Sequence, residues 1–129
     1  KEAAIGFIGS LNYVPSINTE ANKNFIKAYK SKFGRAPSEF AVQGYDSGKV
    51  IIEAIRSLSG SIKDKDKLAE AIRTISITGP RGPLTIDPKT NNVIQNIYIF
   101  EVVNGEQGPE LKVLDTIEAV KAPGEGCNL

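Results

Sequence analysis

The sequence predicts an α/β protein with three helices and with strands in a parallel or mixed arrangement. Of its 129 residues, 40% are hydrophobic and 24% are charged, which are ordinary values for a globular domain. The first half carries apolar residues at helical spacing, and the second half carries β-branched and aromatic runs between turn residues. No apolar run approaches the roughly 20 residues that a membrane helix needs. The chain is therefore long enough and apolar enough to fold around a core.

The first elements are a strand and a helix. Residues 3–11 predict a buried strand, because their apolar side chains lack helical spacing. Pro15 and its polar neighbours predict a loop. A helix is then expected to begin at Thr19, a good N-cap, and to end at Gly34, a common C-terminal stop. Its apolar face repeats every four residues, at Phe25, Tyr29 and Phe33.

A second helix is predicted over residues 38–58, with Ser38 as its N-cap. Its apolar side chains show the clearest helical spacing in the chain, at Ala41, Tyr45, Gly48, Ile52 and Ile55. Gly44 and Gly48, one turn apart, would let this helix approach another backbone closely, and we expect some of the partners of its apolar face to be missing from this chain. A third helix is predicted to begin after Asp64 or Asp66. Its inward positions are expected at Leu68, Ala71, Ile72 and Ile75.

The remainder predicts turns and strands. In order they are a turn at 78–83, a strand at 84–86, a turn at 87–92, a strand at 93–103, a turn beginning at Asn104-Gly105, a strand at 111–117 and a tail. We expect the first strand to lie in a different sheet from the later ones. Free sheet edges of that kind predict self-association. The alternative is a compact monomer with all strands in one sheet.

Composition excludes several classes of function. Sixteen basic against fifteen acidic side chains give a net charge of +1, with no general attraction to nucleic acid or anionic membranes. Histidine is absent, which excludes Ser-His-Asp and Cys-His catalysis and histidine-ligated metals. The single cysteine, Cys127, forms no intrachain disulfide; it is either a free thiol or pairs outside this chain. We expect no cofactor and no metal. An enzyme using Asp46 and Glu53 as paired carboxylates would need a cleft around both.

One run carries a family resemblance. Residues 40–48, Phe-Ala-Val-Gln-Gly-Tyr-Asp-Ser-Gly, resemble the start of a helix in type I periplasmic solute-binding proteins of branched-chain amino-acid ABC transporters. Residues 24–37 are similar to the family's stretch before that helix, and 79–87 and 93–99 to its late strands. The subgroup that these runs most resemble includes binders of aromatic acids. The similarity covers only the C-terminal portion of such a protein.

The resemblance implies a two-lobed fold. Residues 1–36 would belong to the second ligand-binding lobe and 37–100 to the first. Residues 101–120 would cross the hinge and return to the second lobe, and 121–129 would form a tail. The whole protein would lie in the periplasm or outside the cell membrane, where it would bind a small solute and deliver it to a membrane permease without catalysis.

The resemblance also implies site residues. Phe40 matches the family position at which an aromatic or apolar side chain faces the ligand. Tyr45 is the second expected contact, followed by Tyr13 and Asn12. The solute would be a branched-chain amino acid or an aromatic acid. The alternative function is a ligand-sensing regulatory or receptor domain of the same fold, which would signal to a partner.

Overall fold

The computed structural model of the protein describes residues 2–106 and 108–123, so Cys127 lies outside the described residues. In chain order the elements are a 3₁₀ turn at Glu2–Ala4, β1 (Ile8–Leu11), α1 (Glu20–Phe33), α2 (Glu39–Ser57), α3 (Lys65–Thr74), β2 (Ser76–Gly79), β3 (Gly82–Ile86), β4 (Val93–Gly105) and β5 (Gly108–Val120). Three helices and a sheet confirm the predicted α/β class. No helix in the described ranges has the length and apolar character needed to cross a membrane.

The five strands form one sheet around β4. Along one side of β4, β3 pairs with residues 93–95 and β1 with residues 98–101, while β5 covers the other side. The prediction of separate sheets is therefore wrong, because β4 is long enough to pair with strands from both ends of the chain. Self-association stays a prediction. Each pairing in the described sheet is antiparallel, so the parallel arrangement allowed at first is not found there.

Two strand predictions needed correction near glycines. The first strand begins only at Ile8, since Gly6 has a φ of 83° and turns the chain after the 3₁₀ segment. The expected turn at 78–83 contains most of a hairpin, in which β2 and β3 pair and Pro80 and Arg81 alone make the turn. Its last turn position is followed by Gly82, whose φ of 95° suits glycine. Glycine and proline are typical of turns, so the sequence pattern did not indicate that Thr78, Gly79, Gly82 and Pro83 pair as strand residues.

The helix boundaries confirm the predicted caps. The Thr19 hydroxyl accepts from the Asn22 amide at the start of α1, and Gly34 ends that helix in the left-handed conformation. Ser38 caps α2 and Asp64 caps α3 in the same way. These ends follow from local chemistry, because each cap satisfies amides that the helix itself leaves free.

The apolar face of α2 that the residue spacing indicates is not the face that this chain buries. The structure buries another face, formed by Val42, Asp46, Val50 and Ala54. On the predicted face, Tyr45 and Ile52 are about half exposed, at 50% and 51%. On this buried face, Asp46 lies against Gly79 of β2, and Val50 packs with Ile77 of β2 and Ile72 of α3.

Two apolar clusters make up the described core. The larger joins the loop after β1 and helix α1 to the centre of β4; its buried members are Tyr13, Val14, Ile17, Phe25, Val42, Tyr98, Phe100 and Val102. The smaller joins α2 to the β2–β3 hairpin through Val50, Ile77 and Leu84, with Ile72, Ile75 and Val93 against it. Helix α2 touches both clusters, so its position links the two halves of the fold.

The turn between β3 and β4 is fixed by a buried carboxylate. Asp87 is 2% exposed, and its Oδ1 accepts from the Lys89 amide at 3.0 Å. Its Oδ2 lies 3.1 Å from the Lys121 ammonium at the end of β5. The Lys89 amide and then Lys121 hold the pKa of Asp87 below its usual 3.8. The contact ties the turn to the last strand.

This arrangement predicts acid sensitivity. Because the pKa of Asp87 is lower in the folded state, its stabilising contribution is complete above the unfolded value of 3.8 and is lost as the pH falls through the folded value. Urea unfolding from pH 7 to pH 2.5 should therefore show a stability gap between the natural protein and Asp87→Asn that closes at the acid end. A gap that stays constant over the whole range would contradict this assignment.

Candidate functional site

The first turn of α2 presents Phe40 to solvent. Pro37 is buried just before it, and the Ser38 hydroxyl accepts from the Ala41 amide at 3.4 Å, which starts the helix at a defined residue. Phe40 follows with 72% of its surface exposed, the highest value among the exposed large apolar side chains of the described chain. An exposed aromatic side chain on a capped helix end is suited to contact a ligand.

A buried ion pair holds α2 in place below this position. The Arg81 Nε donates to the Asp46 Oδ2 at 2.7 Å, and the two side chains are 8% and 1% exposed. Arg81 Nη1 also donates to the Gln95 Oε1 at 2.9 Å, and the Tyr98 hydroxyl donates to the Arg81 carbonyl at 2.8 Å. One arginine therefore connects α2, the β2–β3 turn and β4.

The backbone beside Asp46 adds a second connection. The Lys49 ammonium donates to the Thr78 carbonyl at 2.7 Å. The next residue, Gly79, lies so close to Asp46 that a Cβ there would come within 2.8 Å of the carboxyl carbon. Only glycine fits this approach. Together with the ion pair, these contacts fix the helix that carries Phe40 to the sheet.

The electrostatics of Asp46 favour a structural role. Burial raises the pKa of the Asp46 carboxyl, while Arg81 and Lys49 act in the opposite direction. Its Oδ2 is occupied by Arg81, and Glu53 is engaged elsewhere with the Arg56 guanidinium at 2.7 Å. The two carboxylates do not face a shared cleft, so the geometry gives no support to the acid–base hypothesis. Within 2–106 and 108–123, no cluster of acidic or cysteine side chains could hold a metal ion.

Tyr45 lies one turn beyond Phe40, on the outer side of α2. Its ring packs against that of Phe25, with 4.8 Å between centroids, and half of the side chain is exposed. It lines a shallow groove along α2 and a second one between α1 and the β2–β3 turn. Phe40 lines neither groove. The structure of this chain therefore does not bring the two predicted contacts into one pocket.

Tyr13 and Asn12 lie at the end of β1. Tyr13 is only 3% exposed, and its hydroxyl donates to the Asn22 Oδ1 at 3.0 Å. Burial raises the pKa of Tyr13 to about 12. Asn22 in turn donates to the carbonyls of Pro15 and Ile17, which fastens the loop to α1. Tyr13 thus acts in the core of this chain, while Asn12 is half-buried; as ligand contacts both stay predictions.

Sequence reasoning missed the partner of Asp46. The segment around Arg81 was predicted only as a rigid turn, and its arginine was given no role. A signal was present in α2, since Asp46 lies four residues from Val42 and from Val50 on what is otherwise an apolar stripe. A charged side chain in that position requires a buried partner of opposite sign.

Comparisons with known proteins match nearly the whole chain. Residues 1–107 match the family described as periplasmic binding protein. A Leu/Ile/Val-binding protein homolog 6 from Brucella abortus is 32% identical over 95% of this chain. A solute binding protein of an ABC transporter from Rhodopseudomonas palustris BisB5, solved with 3,4-dihydroxybenzoic acid, is 35% identical over 98% of this chain, with a TM-score of 0.90.

A more distant relative has the same architecture. A leucine binding protein from Thermotoga maritima is 30% identical over 91% of this chain, with a TM-score of 0.69. The chain spans only about a third of each relative, with shares of 32%, 34% and 32%. The predicted resemblance is confirmed, and the chain belongs to the periplasmic binding protein family.

Proposed function

We propose that this chain is the C-terminal part of a two-lobed periplasmic protein that binds a small solute and delivers it to an ABC transporter permease. Neither catalysis nor a cofactor has a role in this function. The solute is an aromatic acid or a branched-chain amino acid. Which residues belong to which lobe stays a prediction, with 1–36 and 101–120 in the second lobe and 37–100 in the first.

The observation that carries the proposal is the agreement with the R. palustris protein. At a TM-score of 0.90 and 35% identity, nearly all of this chain follows the backbone of a protein solved with an aromatic acid. The leucine binding protein matches less well, at 0.69 and 30%. An aromatic carboxylic acid is therefore the first ligand to test, and leucine the second.

Phe40 supports an apolar or aromatic solute. Its ring is exposed on a helix end that Asp46 and Arg81 hold in place, so the ring is available without further rearrangement of α2. Aromatic rings gain about 0.5–1.5 kcal/mol from mutual packing beyond the burial of their area. Donors from the remainder of the protein would complete the site, because solute sites of this kind enclose most of the ligand surface.

A ligand screen on the full-length protein tests the proposal. Thermal unfolding would be followed with 3,4-dihydroxybenzoate, leucine and a sugar as an unrelated solute. A true ligand at 100 times its dissociation constant adds about 2.7 kcal/mol of stability. Stabilisation by the aromatic acid supports the proposal in its preferred form, and stabilisation by leucine supports the amino-acid form. No response to either class of solute would contradict it.

Phe40→Ala should weaken solute binding at least about tenfold, since its ring is expected to pack against the solute. The unfolding temperature without ligand should hardly change, because the side chain is 72% exposed. Phe33→Ala is the control: it removes another exposed phenylalanine, at the end of α1, that is not an expected ligand contact. Isothermal titration calorimetry measures both. Equal affinities for the natural protein and Phe40→Ala would remove Phe40 from the site.

A transport protein acts with a permease, whereas a sensing domain acts with a signalling partner, so experiments in cells can distinguish the two functions. Uptake of labelled solute by cells should stop when the gene for this protein is deleted. It should return with the natural protein, and return less completely with Phe40→Ala at low solute concentration. If uptake continues unchanged while a solute-dependent transcriptional or behavioural response is lost, the receptor function is the correct one.

A further inference from the structure

Helix α2 has a second apolar face that the described chain covers only at its edge, where Tyr45 packs against Phe25 and Ala41 against the larger core cluster. At 100° per residue, seven apolar positions fall in one arc about 120° wide, on the side away from Asp46. Across the arc they are Ile51, Gly44, Ile55, Gly48, Ala41, Ile52 and Tyr45. Ile51 and Ile52 are 48% and 51% exposed. We call these seven residues the outer face of α2.

No charged residue of α2 lies within this arc, and Lys49, Glu53 and Arg56 lie beside it. Lys49, Glu53 and Arg56 line one side of a groove of about 540 Å³ whose floor includes Gly44, Gly48 and Ile52. A helix that meets solvent on one side carries polar residues there, as α1 does with Lys23 and Lys27. Helix α2 is instead apolar both on its buried face and on its outer face, which is typical of a helix packed on two sides.

The two glycines indicate how closely a neighbour approaches. Glycine is the poorest helix former after proline, so it is disfavoured in the middle of a solvent-exposed helix. A Cβ at Gly44 or Gly48 would meet no atom within 4 Å in this chain. The space in front of both residues is therefore open, and nothing within the described residues explains why alanine is absent.

We infer that the outer face of α2 is an internal packing surface, covered by a segment of the same polypeptide that lies outside this chain. This inference rests on the proposal that the chain is part of a two-lobed protein. The R. palustris relative aligns with 98% of this chain, but the chain covers only 34% of that relative. About twice the length of this chain is thus available to cover α2. The notch at Gly44 and Gly48 would admit the backbone of that segment.

Gly48→Ala in the full-length protein tests this inference, because the two possibilities predict opposite changes in the unfolding temperature. Under a packed segment, the added methyl group closes the notch, and the unfolding temperature should fall by about 2 °C or more. In a helix open to solvent, the same change removes a poor helix former, and the temperature should rise. Ser31→Ala, at an exposed position of α1, is the control and should leave the temperature unchanged or slightly higher.

Thiol labelling provides the second measurement. In a Cys127→Ser background, Ile52→Cys should react with a maleimide at least tenfold more slowly than Ile62→Cys, whose position is 58% exposed on the loop before α3. Equal labelling rates, or a rise in unfolding temperature for Gly48→Ala, would overturn the inference. Slow labelling of Ile52→Cys could also appear only at concentrations where light scattering shows a dimer. That result would overturn the inference, because a second copy of the protein would then cover the face.

The result is independent of the ligand screen. Protection of position 52 in a monomer that binds none of the solutes would support this packing surface while the proposed function fails. Solute binding together with free labelling at position 52 would leave the proposed function in place and reject the packing surface.

Discussion

Replacing Asp46 by alanine should destabilise the protein by about 3–5 kcal/mol, the usual cost of removing one partner of a buried ion pair. The change leaves the Arg81 guanidinium buried with only its Gln95 hydrogen bond and without a counter-charge. Urea unfolding at pH 7 measures the loss. The double variant Asp46→Ala with Arg81→Leu should recover part of the stability, because no unpaired charge then remains in the interior.

Glu53→Ala is the matched control for this prediction. It breaks another 2.7 Å ion pair on the same helix, but the two side chains are 34% and 70% exposed. Exposed pairs contribute about 0–1 kcal/mol, so this variant should unfold almost like the natural protein. If Asp46→Ala and Glu53→Ala lose the same small amount, the Asp46–Arg81 pair does not anchor α2.

Gly79→Ala should cost about 1–3 kcal/mol, near the upper end of that range. The new methyl group would overlap the Asp46 carboxylate, which cannot move away because Arg81 holds it at 2.7 Å. Relief of the overlap would require a shift of α2 or of the β2–β3 turn. Thermal and urea unfolding should both register the loss.

Gly105→Ala distinguishes a fixed neighbour from a free one. A Cβ there would also meet a carboxylate side chain, that of Glu110, but this side chain is exposed and can rotate into solvent. Its cost should stay within about 0.5 kcal/mol, as for most surface substitutions. If both variants lose equal stability, the close approach at Gly79 is not special to the ion pair.

Local chemistry in the sequence determined where the helices begin and end. Thr19, Ser38 and Asp64 each cap a helix in the structure as predicted, and Gly34 ends α1. A cap acts within three residues along the chain, so the neighbouring residues are sufficient to identify it. The placement of Phe40 in the first turn of α2 follows from the same local rule.

The strands were predictable in type but not in pairing. β-branched and aromatic residues indicated β4, whereas the register that places both β1 and β3 on one side of β4 joins residues about 90 and 10 positions apart. Contacts of that kind depend on which edges meet in space. The same limit applies to the β2–β3 hairpin, where glycines and a proline weakened the strand pattern while backbone pairing still formed.

The family resemblance, the helix caps and the apolar spacing of Ala41, Tyr45, Gly48, Ile52 and Ile55 could all be identified from the amino-acid sequence. Which face of α2 this chain buries could not be identified in that way, because it depends on contacts with distant residues. Both faces of α2 are largely apolar, so the spacing of hydrophobic residues does not indicate which of them is buried. Arg81 lies 35 positions further along the chain, and its guanidinium pairs with Asp46. This ion pair holds the Asp46 side of the helix against the sheet. A charge in the interior is stable only beside its partner, and that partner is known only once the chain has folded.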